Sequence, residues 1–172
     1  LATIKPTLGD VTDGSTAYAN NDVLFNWTAF EIPTGGCRVM TINALVAGTN
    51  GVVGNTHDIQ LYYARSIGGV APSNFGVENA VPTDLTATTC KNNIIGFSYM
   101  DLSAQDDSDK LIAYSVIGSR TAAGADNTTN AGETQNIILQ GDPKYSSTMG
   151  YQTIWLAGIA RGAFDFGTAV AL

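Results

Sequence analysis

The chain has 172 residues, with 8 Lys and Arg against 15 Asp and Glu, a formal charge of −7 at pH 7. Apolar residues make up 44% and charged residues 13%, a balance that excludes intrinsic disorder and supplies one domain with material for a core. The net charge and the scatter of the few basic residues exclude a phosphate-binding face, so nucleic acid is not an expected partner.

No apolar run approaches the ~18–20 residues that a membrane-crossing helix needs, and the most apolar stretch, 154–159, is soon followed by Arg161. A membrane partner is therefore not expected. The opening Leu1-Ala2-Thr3-Ile4-Lys5-Pro6 reads as neither a basic leader nor a long apolar segment. Cys37 and Cys90 have no CxxC spacing and read as two buried thiols rather than a disulfide.

Residues 1–21, broken by Gly, Pro and Asp, read as an N-terminal arm or leader, and 22–172 as one β-sandwich domain. Few Glu, Lys and Arg are available for solvated helix faces, whereas Thr, Val, Ile and Tyr alternate between glycine-marked turns. The expected class is all-β: an antiparallel two-sheet sandwich of jelly-roll type, about eight strands with long loops.

The first strand is placed at 23–30, with Val23, Phe25, Trp27 and Ala29 on one face and Leu24, Asn26, Thr28 and Phe30 on the other. A second at 37–47 turns Met40, Ile42, Ala44 and Val46 one way. A third at 57–65 groups Ile59, Leu61 and Tyr63, and the Gly48-Thr49-Asn50-Gly51 turn suggests that the two form a hairpin with a long loop. Further strands are placed at 94–100, 111–117, 134–140, 152–160 and 166–171, with loops at 68–89, 101–109 and 122–132.

The tests for chemistry come back empty. His57 precedes Asp58, but neighbours on a strand point to opposite faces and no Gly-x-Ser-x-Gly elbow is present. One His and two distant Cys do not make a zinc set. Asp106, Asp107 and Asp109 offer hard oxygens for calcium, yet lack the central Gly and terminal Glu of an EF-hand and read as a solvated loop. Asp165-Phe166-Gly167 lacks the other kinase motifs, and Gly48, Gly51 and Gly54 lack the order of a dinucleotide loop. Asn26-Trp27-Thr28 and Asn127-Thr128-Thr129 match the glycosylation pattern, the second in an expected loop. No catalytic residue, metal or cofactor is assigned, and the chain is not expected to be an enzyme. Trp27, Phe30, Tyr62, Tyr63 and Trp155 are the aromatic set available either for a core or for a sugar-stacking platform, with Tyr62 the best exposed candidate.

The stretches Asp22-Val-Leu-Phe-Asn-Trp-Thr-Ala-Phe-Glu-Ile-Pro, Val46-Ala-Gly-Thr-Asn-Gly, Tyr63-Ala-Arg-Ser-Ile-Gly-Gly-Val-Ala-Pro-Ser and Gly162-Ala-Phe-Asp-Phe-Gly-Thr resemble small virion structural proteins of tailed marine bacteriophages. That resemblance implies a capsid decoration or cement protein on the outer surface of the virion. It further implies the major capsid protein as partner, a homo-oligomer with the trimer favoured, and no catalytic residues. An acidic chain suits an outer surface better than a DNA-filled interior. The alternative reading is a carbohydrate-binding, lectin-like module or adhesin, resting on the tyrosines and the two tryptophans.

Overall fold

The computed structural model describes residues 2–6, 18–48, 58–83, 88–100, 105–107, 112–117, 137–143, 146, 148–162 and 170–171. In chain order its elements are β1 (Val23–Pro33), β2 (Cys37–Arg38), β3 (Thr41–Gly48), β4 (Ile59–Arg65), α1 (Thr88–Lys91), β5 (Ile94–Met100), β6 (Gln105–Asp107), β7 (Ile112–Ile117), β8 (Ile138–Leu139), β9 (Tyr151–Ala160) and β10 (Val170–Ala171). The protein is mostly β with almost no helix. Its main sheet has four antiparallel strands in the order β1-β9-β4-β5, a second sheet runs β10-β3-β7-β6, and β2 pairs with β8 in a short ribbon.

Strand β9 forms the middle of the main sheet because its sequence, Tyr-Gln-Thr-Ile-Trp-Leu-Ala-Gly-Ile-Ala, is apolar on both faces. Burial is continuous from Gln152 to Ala160, with only Trp155 half-buried, as expected for a strand covered on both sides. On one face Ile154, Leu156 and Ala160 join Leu24, Phe25, Ile32, Ile59, Leu61, Tyr63, Met100, Ile137 and Leu139 in the larger core, against which Ile42 and Ala44 of β3 also pack. On the other face Ala157 and Ile159 meet Val23, Phe75 and Cys90, with Trp27 and Tyr62 at the margin.

The pairing of β1 with β9 departs from simple alternation. Val23 pairs with Ile159, Phe25 with Gly158 and Thr28 with Leu156, so β1 uses five steps where β9 uses three. Leu24 and Phe25 therefore both oppose Gly158, and Asn26 and Trp27 both oppose Ala157. Each pair is a β-bulge, which turns two consecutive side chains toward the same face. The expected grouping of Val23, Phe25, Trp27 and Ala29 on one face is corrected accordingly: Phe25 joins Leu24 in the larger core, while Val23 and Trp27 lie on the opposite side.

Other expectations are also corrected. The segment expected at 37–47 is two strands, β2 and β3, and the described residues of the strand expected at 134–140 hold the two-residue β8. Gln105–Asp107, read as part of a loop, is strand β6, so the described residues hold ten strands rather than eight. The proposed hairpin of the second and third strands does not form: β3 pairs with β7 and β10, whereas β4 pairs with β5 and β9. In the range expected as a loop at 68–89, residues 88–89 open the one-turn helix α1. Cys90 is buried as expected, but Cys37 is half-buried, and the two are not bridged. Tyr18, inside the segment read as an arm, is fully buried in the larger core, and Ile4 packs against it.

Gly158 is where side-chain size matters most. A Cβ there would lie 2.3 Å from Cε1 of Phe25, far inside van der Waals contact, so the ring occupies the space that a side chain would take. Gly158→Ala is expected to cost about 1–3 kcal/mol, the usual cost of overpacking a filled core. Urea denaturation of the single variant, and of the double variant with Phe25→Leu, checks this: the double variant should lose less than the sum of the two single losses.

Candidate functional site

Two polar assemblies and one cavity stand out from the packed sheet. The first is built on the second bulge, which aims both Asn26 and Trp27 at a strap formed by residues 73–80. The Asn26 amide nitrogen donates to the Gly76 carbonyl at 2.6 Å and to Asn74 Oδ1, while its Oδ1 accepts the backbone N–H of Phe75 at 3.0 Å and of Trp27 at 3.0 Å. Trp27 Nε1 donates to the Ser73 carbonyl at 2.7 Å. The strap then runs along the edge of β1, where Val23 N–H reaches the Ala80 carbonyl and Asn79 N–H reaches the Val23 carbonyl.

These bonds seat Phe75, which is fully buried, between Trp27 and Tyr62, at ring-centroid distances of 4.9 and 5.3 Å. The small Ala157, register partner of Tyr62, belongs to the same cluster, and its single methyl leaves room for the ring. Phe97, register partner of Tyr62 on its other side, continues the aromatic row at 6.5 Å and is exposed. Trp27 and Tyr62, considered above as parts of a stacking platform, are thus half-buried and separated by a core phenylalanine. Tyr63 and Phe30 pack with the opposite core, and Trp155 donates its indole N–H to Ser66 Oγ at 3.3 Å. The aromatic set is therefore divided between the two faces of the sheet.

The second assembly lies at the end of the sheet where β4 begins and β9 ends. Tyr99 Oη donates to Asp58 Oδ2 at 2.6 Å, Arg161 N–H donates to the Asp58 carbonyl at 2.8 Å, and the Arg161 guanidinium donates to Asn21 Oδ1. Asn21 has φ 76°, in the left-handed region that asparagine tolerates, and its N–H closes onto the Ala160 carbonyl at 2.8 Å. Burial first, and then the Asp58 carboxylate, push Tyr99 up to about 12, with Arg161 pulling the other way. Burial also raises Tyr62, opposed by Arg161, and Tyr63, opposed by its contact with Ser98. Held protonated and bonded to Asp58, Tyr99 clasps strand ends together.

The cavity, of about 260 Å³, opens where the end of β4 meets the chain leaving β8 and is lined by residues that include Arg65, Ser66, Gln140 and Asp142. The sequence reading missed it, because its two walls lie more than seventy residues apart. Of the residues tested for chemistry, His57, Asp109, Asn127 and the 165–167 tripeptide lie outside the described residues. Asp106 and Asp107 belong to strand β6. Asn26, the other glycosylation candidate, has its amide nitrogen engaged in the strap bonds. Among the described residues no three His, Cys, Asp or Glu side chains are grouped to hold a metal ion, and no helix is long and apolar enough to cross a membrane. Comparison with protein families, with curated proteins and with solved structures finds no match to this chain.

Two outcomes are expected here. Asn26→Ala strands the Phe75 N–H and the Gly76 carbonyl and should cost about 1–3 kcal/mol, with a change in Trp27 fluorescence that reports movement of the strap. Because the folded pKa of Tyr99 lies above its unfolded value near 10, its contribution is complete below pH ~10 and lost as pH rises toward 12. Denaturation midpoints should fall across that window, and Tyr99→Phe should flatten part of the fall.

Proposed function

We propose that this chain is a structural protein of a virus particle, a decoration or cement protein that binds the outer capsid surface and bridges subunits of the major capsid protein. The observation that carries the reading is a group of exposed apolar side chains at one end of the main sheet. Met149 is 98% exposed, Ile138 63% and Tyr151 44%. The backbone draws them around one turn: Tyr151 pairs with Pro33, Thr34 N–H reaches the Gly150 carbonyl, a Cβ on Gly36 would touch Ile138, and Ile138 pairs with Arg38. Exposed large apolar groups gathered in this way mark contact surfaces.

The acidic charge and the resemblance to phage virion proteins support the same reading. The finer architecture belongs with it: a two-sheet, jelly-roll-like sandwich, supported by Ile42 and Ala44 of the second sheet packing on the larger core. A homotrimer on the virion surface completes the proposal. Modest contacts of this kind gain strength on a multivalent lattice. The second reading, a carbohydrate-binding module or surface adhesin, draws on exposed Phe97 beside Tyr62.

The test is co-sedimentation with undecorated shells. Wild-type protein should saturate at a fixed ratio to the shell subunit, and Met149→Asp with Ile138→Asp should weaken attachment at least about tenfold, as loss of interface anchors does. Both sites are exposed, so melting temperature should hold. Failure of wild-type protein to bind shells, together with saturable binding on a glycan array that Tyr62→Ala removes, would favour the second reading instead.

A further inference from the structure

The exposed apolar end of the main sheet carries a charge in its midst. Strands β2 and β8 form a ribbon in which Cys37 pairs with Leu139 and Arg38 with Ile138. Partners across such a ribbon point to the same face, and successive pairs to opposite faces. Leu139 belongs to the larger core and Cys37 packs against it, so Arg38 and Ile138 share the outer face, where both are exposed. Among the described residues the Arg38 guanidinium has no hydrogen bond or ion pair.

The surroundings of this pair are fixed by backbone bonds. Val39 N–H reaches the Ile137 carbonyl at 3.0 Å and extends the ribbon, and a Cβ on Gly36 would stand 3.6 Å from Ile138 Cγ2. In the neighbouring turn Ser146 Oγ donates to the Thr148 carbonyl at 2.7 Å, and Tyr151 N–H donates to the same carbonyl at 3.1 Å. Gly150, at φ 85°, adopts the left-handed conformation that this turn needs, and its carbonyl takes the Thr34 N–H at 2.9 Å. Met149 is thereby held out at the tip of a braced turn. A face built in this way is ready to bind without rearrangement.

Any surface that covers Ile138 also covers its register partner Arg38. Taking a guanidinium out of water without a partner is strongly unfavourable, whereas a carboxylate facing it gives two parallel N–H bonds. A second copy meeting this face with its own would bring two Arg38 guanidiniums into one contact, so the charge selects a different partner. Arg, Tyr and Met are also the residue types that the centres of interfaces favour. We infer, on the shell-binding reading above, that Arg38 determines the specificity of the contact. The shell surface it meets presents an Asp or Glu carboxylate beside an apolar recess that takes Met149 and Ile138.

Co-sedimentation with undecorated shells tests this through a charge series at one position. Arg38→Met keeps a long apolar stem and removes the charge, and should weaken attachment at least about tenfold. Arg38→Glu should weaken it about a hundredfold, because like charges then face each other. Arg38→Lys keeps the charge without the two-pronged geometry and should fall between wild type and Arg38→Met. The side chain is exposed, so melting temperatures should match wild type throughout the series. If Met149→Asp weakens attachment while Arg38→Met or Arg38→Glu attaches at wild-type strength, the role of Arg38 is overturned and the shell reading stands. Shells that wild-type protein does not bind would overturn both.

Discussion

Strand β1 carries two more residues than the stretch of β9 it pairs with, and the two smallest side chains of that stretch, Ala157 and Gly158, accommodate them. Opposite Gly158 the extra residue sends both Leu24 and Phe25 into the larger core, where the Phe25 ring fills the place of a missing Cβ. Opposite Ala157 it sends both Asn26 and Trp27 outward, where they grip the strap that seats Phe75. One irregularity of register therefore builds part of both cores. A regular strand would have placed Phe25 with Trp27 and left the strap without its anchor.

The sequence made the strand-rich class legible, and with it the positions of β4, β5, β7 and β9, because runs such as Ile-Gln-Leu-Tyr-Tyr-Ala and Ile-Trp-Leu-Ala-Gly-Ile carry period two or unbroken apolar character between turn residues. The bulges were not legible, since alternation in 23–30 scores well in either register and only the partner strand decides. The Gly48–Gly51 turn signal misled for a related reason: a turn states that the chain reverses and leaves open which strand it will pair with. Phe75, in a Pro- and Gly-rich stretch, reads locally as a loop residue, yet long-range packing buries it completely. Asn26 looked like a chance glycosylation triplet and is a clamp. The one usable signal for the cavity was the Gly68-Gly69 pair, which fixes a tight turn; its facing wall, Gln140 to Pro143, is brought there only by the fold.

The polar assemblies divide the main sheet into two ends with different chemistry. At one end Tyr99, Asp58, Arg161 and Asn21 satisfy one another and lock strand termini, an inward-looking arrangement with its proton held firmly. At the other end lie Tyr151, Met149 and Ile138, exposed and apolar, and two residues past Ile138 the chain enters the cavity wall at Gln140. Exposed apolar surface of this kind is built for meeting something else, and the proposed shell attachment draws on that end of the molecule.

The claim on which this account rests is that the bulges in β1 couple the larger core to the strap on the opposite face. Hydrogen exchange of backbone amides in wild-type protein and Gly158→Ala measures that coupling directly. Displacing Phe25 should disturb the register of β1, so the amides of Val23, Phe75 and Asn79 should lose protection together, while those of Tyr63 in β4 and Ser98 in β5 keep theirs. Wild-type protection at Phe75 and Asn79 in a variant whose β1 amides have become exposed would contradict the account.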